Sequence, residues 1–301
     1  MAQNTTTSSA DILASEVLAG MVEELLAEKG SIMGHEALIK AERPAMGSNV
    51  VKFSADGLGG SHALALTAEG SSVADTTLSD ATASVTVARY AKSFAFTDTL
   101  LAVDEGRLVQ ERFARDAVIS YNQNLINLVA QLGSGFTNSV GSTGVNLTVQ
   151  NFMDAKTKLE ENSCEGRFLA ILHPVQFADL QSAMLSVGGS LQYREDSQLL
   201  PERIGGQYKG SFLGVDIFVS SLVPTANAGA DRAGLMIARG AVVWADALIE
   251  PNPQQVMNAG GLIALELERD ARAGESAYVS SALMGAAEFQ DLAGVGIITD
   301  A

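Results

Sequence analysis

Hydrophobic residues along this chain change period several times, and each change marks an element. Ile12, Leu13, Val17, Leu18, Met21, Val22, Leu25 and Leu26 recur at helical spacing, with Glu16, Glu23, Glu24 and Glu28 on the other side. This predicts an amphipathic helix capped by Asp11 and closed by Gly30. Arg43 and Pro44 then break regular structure. From Val50 the period falls to two. Val50, Val51 and Phe53 begin a strand, the glycine-rich run 56–61 turns the chain, and Ala83, Val85 and Val87 alternate with Ser84 and Thr86 in a return strand over 81–89. The alternation slips between Ala88 and Tyr90, after which Tyr90, Phe94 and Phe96 take the apolar side, which predicts a bulge. A two-stranded ribbon is marginal in water, so this one needs a surface to lie on.

Helical spacing returns after Thr97 and Asp98. Val118, Tyr121, Leu125, Leu128 and Leu132 form one stripe of a long helix that starts near Asp104 and Glu105, on the order of 40 Å at 1.5 Å per residue. Gly133, Gly135, Gly141 and Gly144 end it in a loop. A second helix over 151–161 uses Phe152, Ala155 and Leu159. The run 167–172 (RFLAIL) reads as a buried strand, and Pro174 opens a third helix at its first turn. Residues 188–214 read as glycine-punctuated loop. Strands follow at Val215 to Val219, Leu235 to Ile237, Val242 to Trp244, 262–268, 278–286 and 295–298.

Composition narrows the function. The 301 residues carry a net charge of -16 and only 18% charged residues. A continuous basic groove for nucleic acid is therefore not expected, although Arg107, Arg112 and Arg115 form a short basic patch. Residues 1–42 hold seven acids against two bases. No secretory pattern opens the chain and no apolar run reaches membrane-spanning length, which points to an intracellular protein with no membrane partner.

Candidate chemistry is thin. One cysteine, Cys164, excludes an internal disulfide. Cys164 and His173 together invite a soluble hydrolase, nucleophile and base, yet no oxyanion motif accompanies them. The plainer readings are a small buried thiol and a residue that starts a helix. His35, His62 and His173 stand in three segments without ligand spacing, so neither metal nor cofactor is expected. Gly57, Gly59 and Gly60 fit neither phosphate-binding pattern, and a bent hairpin tip explains them. Glu160, Glu161 and Glu165 lack the alternation of a calcium loop and read as a solvated helix end. Tyr193, Arg194, Glu195 and Asp196, between glycine-rich loops, read either as inter-subunit contacts or as ordinary exposed charge.

The order of these elements resembles the major capsid proteins of tailed bacteriophages, the Hong Kong 97 fold. The resemblance rests on the run 92–106 (KSFAFTDTLLAVDEG) leading into the long helix, on 171–184 (ILHPVQFADLQSAM), on 209–221 (KGSFLGVDIFVSS) and on the final strands. It implies an α+β fold with an N-terminal arm at 1–44, an extended β-hairpin loop at 45–96, a peripheral domain at 97–165 and 258–301 with a long spine helix, and an axial domain at 166–257. It further implies a non-enzymatic shell protein, assembled in the cytoplasm of a bacterial host. Its copies would form pentamers and hexamers of an icosahedral virion capsid, with scaffolding, portal and decoration proteins as partners and packaged double-stranded DNA nearby. An encapsulin-type nanocompartment is the alternative that shares the fold. The fold's founding member joins a loop lysine to a neighbour's asparagine. Here Lys52 and Lys92 both lie towards the base of the loop, and cross-linking is not expected.

Overall fold

The computed structural model describes residues 20–24, 32–44, 48–55, 81–99, 107–186, 193–194, 208–247, 256–259, 262–270 and 274–300. In chain order the elements are β1 (Leu38–Lys40), β2 (Val50–Ala55), β3 (Ala81–Thr86), β4 (Ala88–Thr97), the long helix α1 (Arg107–Ala130), β5 (Ser139–Val140), α2 (Val149–Glu161), β6 (Phe168–Leu172) and α3 (Pro174–Ser186). There follow β7 (Tyr193–Arg194), β8 (Tyr208–Phe212), β9 (Val215–Val219), β10 (Thr225–Ala226), β11 (Asp231–Ile237), β12 (Val242–Ala247), β13 (Val256–Ala259), β14 (Ile263–Asp270), β15 (Glu275–Glu288) and β16 (Gly294–Asp300).

Two mixed sheets and one ribbon organise the chain. In the six-stranded sheet, β15 is the backbone. It pairs with β4 along one edge, and with β14 and then β12 end to end along the other, while β1 joins β12 in parallel. The eight-stranded sheet runs β5-β16-β11-β6-β9-β8-β7, with β10 beside β11. Sheet membership crosses the segments expected from the sequence. Strand β12, within 166–257, belongs with the sheet under the long helix, whereas β5 and β16, from 97–165 and 258–301, pair into the sheet built on β6 and β11.

Strand β6 is buried at all five positions. Successive strand side chains point to opposite faces, so both faces of this sheet are covered at β6, as its unbroken apolar sequence requires. Helix α2 is capped by Thr148, whose Oγ1 accepts from the Asn151 N–H at 3.1 Å, and it buries Phe152, Ala155 and Leu159. Helix α1 buries Phe113, Ala114, Val118, Tyr121, Leu125, Ile126 and Val129, a stripe wider than the sequence suggested, with Leu128 and Leu132 packed at its margin.

The expected loop at 188–214 is corrected by β7 and β8. With Gly210 at its centre, Tyr208–Phe212 alternates buried and less buried positions and pairs with β9 through a register shift after Tyr208. The expected bulge near Ala88 is a change of partner. At Val87 the chain leaves β2, donating one last hydrogen bond to the Asn49 carbonyl, and from Ala88 it pairs with β15. The glycine turn 56–61 and most of the N-terminal helix lie outside the described residues; residues 20–24 are helical, and Val22 is buried.

Candidate assembly surfaces

The six-stranded sheet is clad differently on its two faces. Towards α1 it presents Trp244, Tyr278, Ala282 and Met284, with Phe113 set between Phe94 and Tyr278 at ring separations of 6.0 and 5.3 Å. Towards the other side, Val243 and Ala245 of β12 join Val85, Val87 and Ala41 in a small separate cluster, and Phe53 meets Phe289 edge to face at 6.3 Å. The base of the β2–β3 ribbon therefore lies on this sheet, opposite the long helix. Each fully buried valine contributes about 2 kcal/mol. That anchors the base, and residues 56–80 continue beyond the last described pair, Ala55 and Ala81.

Strand β4 carries the ribbon into the sheet and forms its rim. Of its ten residues, six in succession are exposed, including Tyr90, and only Phe94 and Phe96 turn partly inward. Among the described residues its second edge has no partner strand. Unpaired edges invite pairing with another chain. Charged groups fix β4 to its neighbours: Lys92 Nζ reaches Asp116 Oδ2 of α1 at 2.7 Å, and just past the strand's end Asp98 takes both guanidinium nitrogens of Arg269 at 3.0 and 3.2 Å. Lys92, one of the two loop lysines, is thus engaged with its own subunit's helix, while Lys52 is exposed on β2.

Two buried carboxylates clamp the segment 35–43. Asp216 of β9 meets His35 Nε2 at 3.0 Å, Tyr208 Oη at 3.3 Å and Arg167 Nε at 3.6 Å. The other ring nitrogen of His35 accepts from the Ala37 N–H, so Nε2 carries the proton and donates to Asp216. Asp246 of β12, 1% exposed, draws Lys40 at 3.1 Å and Arg43 at 3.2 Å, with Lys40 lying over the Trp244 ring. Residues 35–43 are held to both sheets by these contacts. None was legible in the sequence, because the partners stand 181 and 203 residues apart.

The sequence-derived hydrolase pair finds other employment. Cys164 Sγ faces the carbonyl oxygens of Asn162 and Leu292, and burial raises its thiol above the ordinary value, which disfavours a thiolate. His173 starts α3: its N–H donates to Gln176 Oε1, its Nδ1 accepts from the Val175 N–H and its carbonyl from Phe177. Burial, and then Arg232, lowers the His173 pKa. Gln176, fully buried, ties this helix start to β11 and β16 by donating to Arg232 O, Ile297 O and Thr299 Oγ1.

Glu160 pairs with Lys156 at 3.2 Å on the exposed side of α2. The described residues contain no group of three or more His, Cys, Asp or Glu placed to hold a metal, and no helix long and apolar enough to cross a membrane. Gly57, Gly59, Gly60 and His62 lie outside the described residues. The described features outside the two cores are thus a ribbon base packed on the six-stranded sheet, the unpaired edge of β4 and the clamped segment 35–43.

The fold is similar to that of several solved capsid and encapsulin proteins. The capsid of the cyanophage P-SCSP1u superposes with a TM-score of 0.55 at 13% identity, covering 90% of this chain and 89% of the other. The capsid of Ralstonia phage GP4 gives 0.55 at 12%, over 92% and 90%. The holo-SrpI encapsulin complex of Synechococcus elongatus gives 0.56 at 13%, over 87% and 84%. At such identities the likeness is one of fold. No curated protein matches the sequence. A family model described as phage capsid protein matches residues 80–295, from the return strand of the ribbon through α1 and into β16. With that match running through both sheets and the long helix, the chain belongs to the phage capsid protein family.

Proposed function

We propose that this chain is the major capsid protein of a tailed bacteriophage, its copies tiling an icosahedral head around double-stranded DNA. The observation that carries this reading is the anchored ribbon. Its base, paired as far as Ala55 and Ala81, is packed on the subunit's own sheet, and β4 beside it offers an edge with no partner strand among the described residues. The arm at 1–44 and the loop at 45–96 act as the parts that reach a neighbouring copy, and the two sheets with their helices form the lobes between them. The mechanism is geometric: apolar area at these surfaces is buried only when copies meet. An acidic chain suits the task, since a wall that does not grip phosphates lets the genome enter and leave. Portal, scaffolding and decoration proteins are the further partners of such a shell, and no step in the mechanism requires catalysis.

A second reading is favoured by the encapsulin of similar fold, whose likeness is as high as that of the phage capsids. In that reading the shell holds protein cargo. Electron microscopy of particles from phage-infected cells, together with extraction of their contents, separates the two. Closed icosahedral particles filled with nuclease-protected double-stranded DNA are expected; particles carrying an enzyme and no nucleic acid would overturn the phage assignment.

A further inference from the structure

Among the described residues the chain passes between the two sheets three times: through α1 from β4 to β5, through residues 238–241 from β11 to β12, and through residues 289–293 from β15 to β16. All three passages meet at one place. The Ala238 N–H donates to Ala293 O at 2.9 Å and the Phe289 N–H donates to Ala241 O at 2.8 Å, which fastens the second passage to the third. The segment that leaves α1 joins them. Its Thr137 N–H donates to Asp291 Oδ1 at 2.7 Å, and a Cβ on its Gly135 would stand 3.4 Å from Glu288 Oε2. This meeting point is the joint on which one sheet turns against the other.

The joint holds like charges side by side. Glu288 and Asp291 flank the end of β15, close enough for one carboxyl to hydrogen-bond the other. The segment 131–138 brings no charged residue, nor does the near end of β12 at Val242 and Val243, and the turn 238–241 brings only Arg239, which is exposed. Burial first, and then Asp291, lifts the Glu288 pKa above the ordinary carboxylate range. Two ionised carboxylates at this separation repel, whereas one proton between them turns the repulsion into a hydrogen bond. Gln290 adds a further cost to the closed joint: its Nε2 is buried and has no hydrogen-bond partner among the described residues, which makes opening cheaper.

We propose that this joint is a proton-operated lock: with one proton between them Glu288 and Asp291 hold the three passages together, and when that proton leaves to water the two carboxylates push apart and the sheets gain freedom to turn. The folded-state value is the raised one, so the lock is closed in mild acid and opens as pH rises through that value. It belongs to the single subunit and does not depend on what a shell encloses. In a shell it makes the angle between the two sheets, and with it the shape each copy offers its neighbours, a function of pH.

The test is hydrogen exchange read by mass spectrometry on full-length free subunits between about pH 5 and about pH 8, each amide corrected for its intrinsic pH dependence. Peptides that contain Thr137, Ala238 and Phe289 are expected to lose protection by about threefold or more across that range, while peptides of β9, away from the joint, keep theirs. Glu288→Gln, which cannot ionise, should hold the joint's protection level. Asp291→Asn, which keeps an oxygen for the Thr137 N–H, should do the same. The proposal is overturned if protection at the joint does not change with pH, if the fall extends equally to β9, or if either folded variant repeats the fall of the unaltered chain. Should one variant not fold, the other and the unaltered chain decide. Particle formation plays no part in the readout, so either result leaves the capsid reading to its own experiment.

Discussion

Gln176 shows how one polar side chain can hold two elements in place. Its amide is fully buried and serves a helix start on one side and two strands on the other. Gln176→Ala should lower stability by about 3 kcal/mol, because several buried groups lose their partner at once. Denaturant unfolding of free subunits measures this. A carboxylate gives the pH dependence. Burial first, and then the neighbouring Asp291, raises the Glu288 pKa above the ordinary carboxylate range. The folded state therefore binds the proton more tightly than the unfolded one. Stability from this group is complete below the unfolded value, about 4.3, and is lost as pH rises through the raised folded value. Glu288→Gln should flatten that decline, visible as a smaller fall in melting temperature between mildly acidic and neutral pH. Neither residue could be singled out beforehand: Gln176 read as one polar position in a helix, and Glu288 lies two residues past the strand expected over 278–286.

At the scale of elements, the junction of ribbon and sheet is the telling one. Val87 closes the β2–β3 pairing, and one residue later β4 is on β15. The slip in alternation at Ala88 was visible in the sequence, but not its cause, since a bulge and a change of partner leave the same local pattern. The crossing needs close approach: a Cβ on Gly285 of β15 would overlap the Thr86 carbonyl of β3. Gly285→Val should therefore displace the ribbon base at a cost of about 1–3 kcal/mol. Shell assembly should suffer more than subunit folding, and comparing particle yield with the melting temperature of free subunits reveals the difference. The strands missed in the sequence are β1, β5, β7 and β10, two or three residues long, and β13, four residues long, all too short for a period to register. Strand β8 was hidden by Gly210 within it and by the glycines that flank it.

At the scale of the whole molecule, the proposal is that one subunit is completed by others. Replacing residues 56–80 with a short glycine-serine turn leaves every described pairing available, including that of Ala55 with Ala81. The expected outcome is a folded subunit, by circular dichroism and cooperative melting, that no longer forms closed particles in electron microscopy. Normal particles from that deletion would remove the ribbon from the assembly mechanism. Strand exchange between the sheets gives a reason for the subunit to fold as one body. β12 and β16 each carry the chain to the other sheet, so neither sheet can form without residues far along the sequence.

Hydrophobic period alone determined the ribbon, the long helix, the buried strand at β6 and the helix opened by Pro174. Each of these depends on neighbours within a few turns or a few residues, where spacing and capping act directly. Their order sufficed for the fold resemblance. The tertiary structure decided which strands share a sheet, which face of the sheet the ribbon takes, and which charges clamp residues 35–43. These choices rest on contacts between residues 181 or 203 positions apart, such as His35 with Asp216 and Arg43 with Asp246. Local periodicity records that a face is apolar, but it does not name the surface that covers it, because many partners satisfy the same burial and only the folded chain selects one.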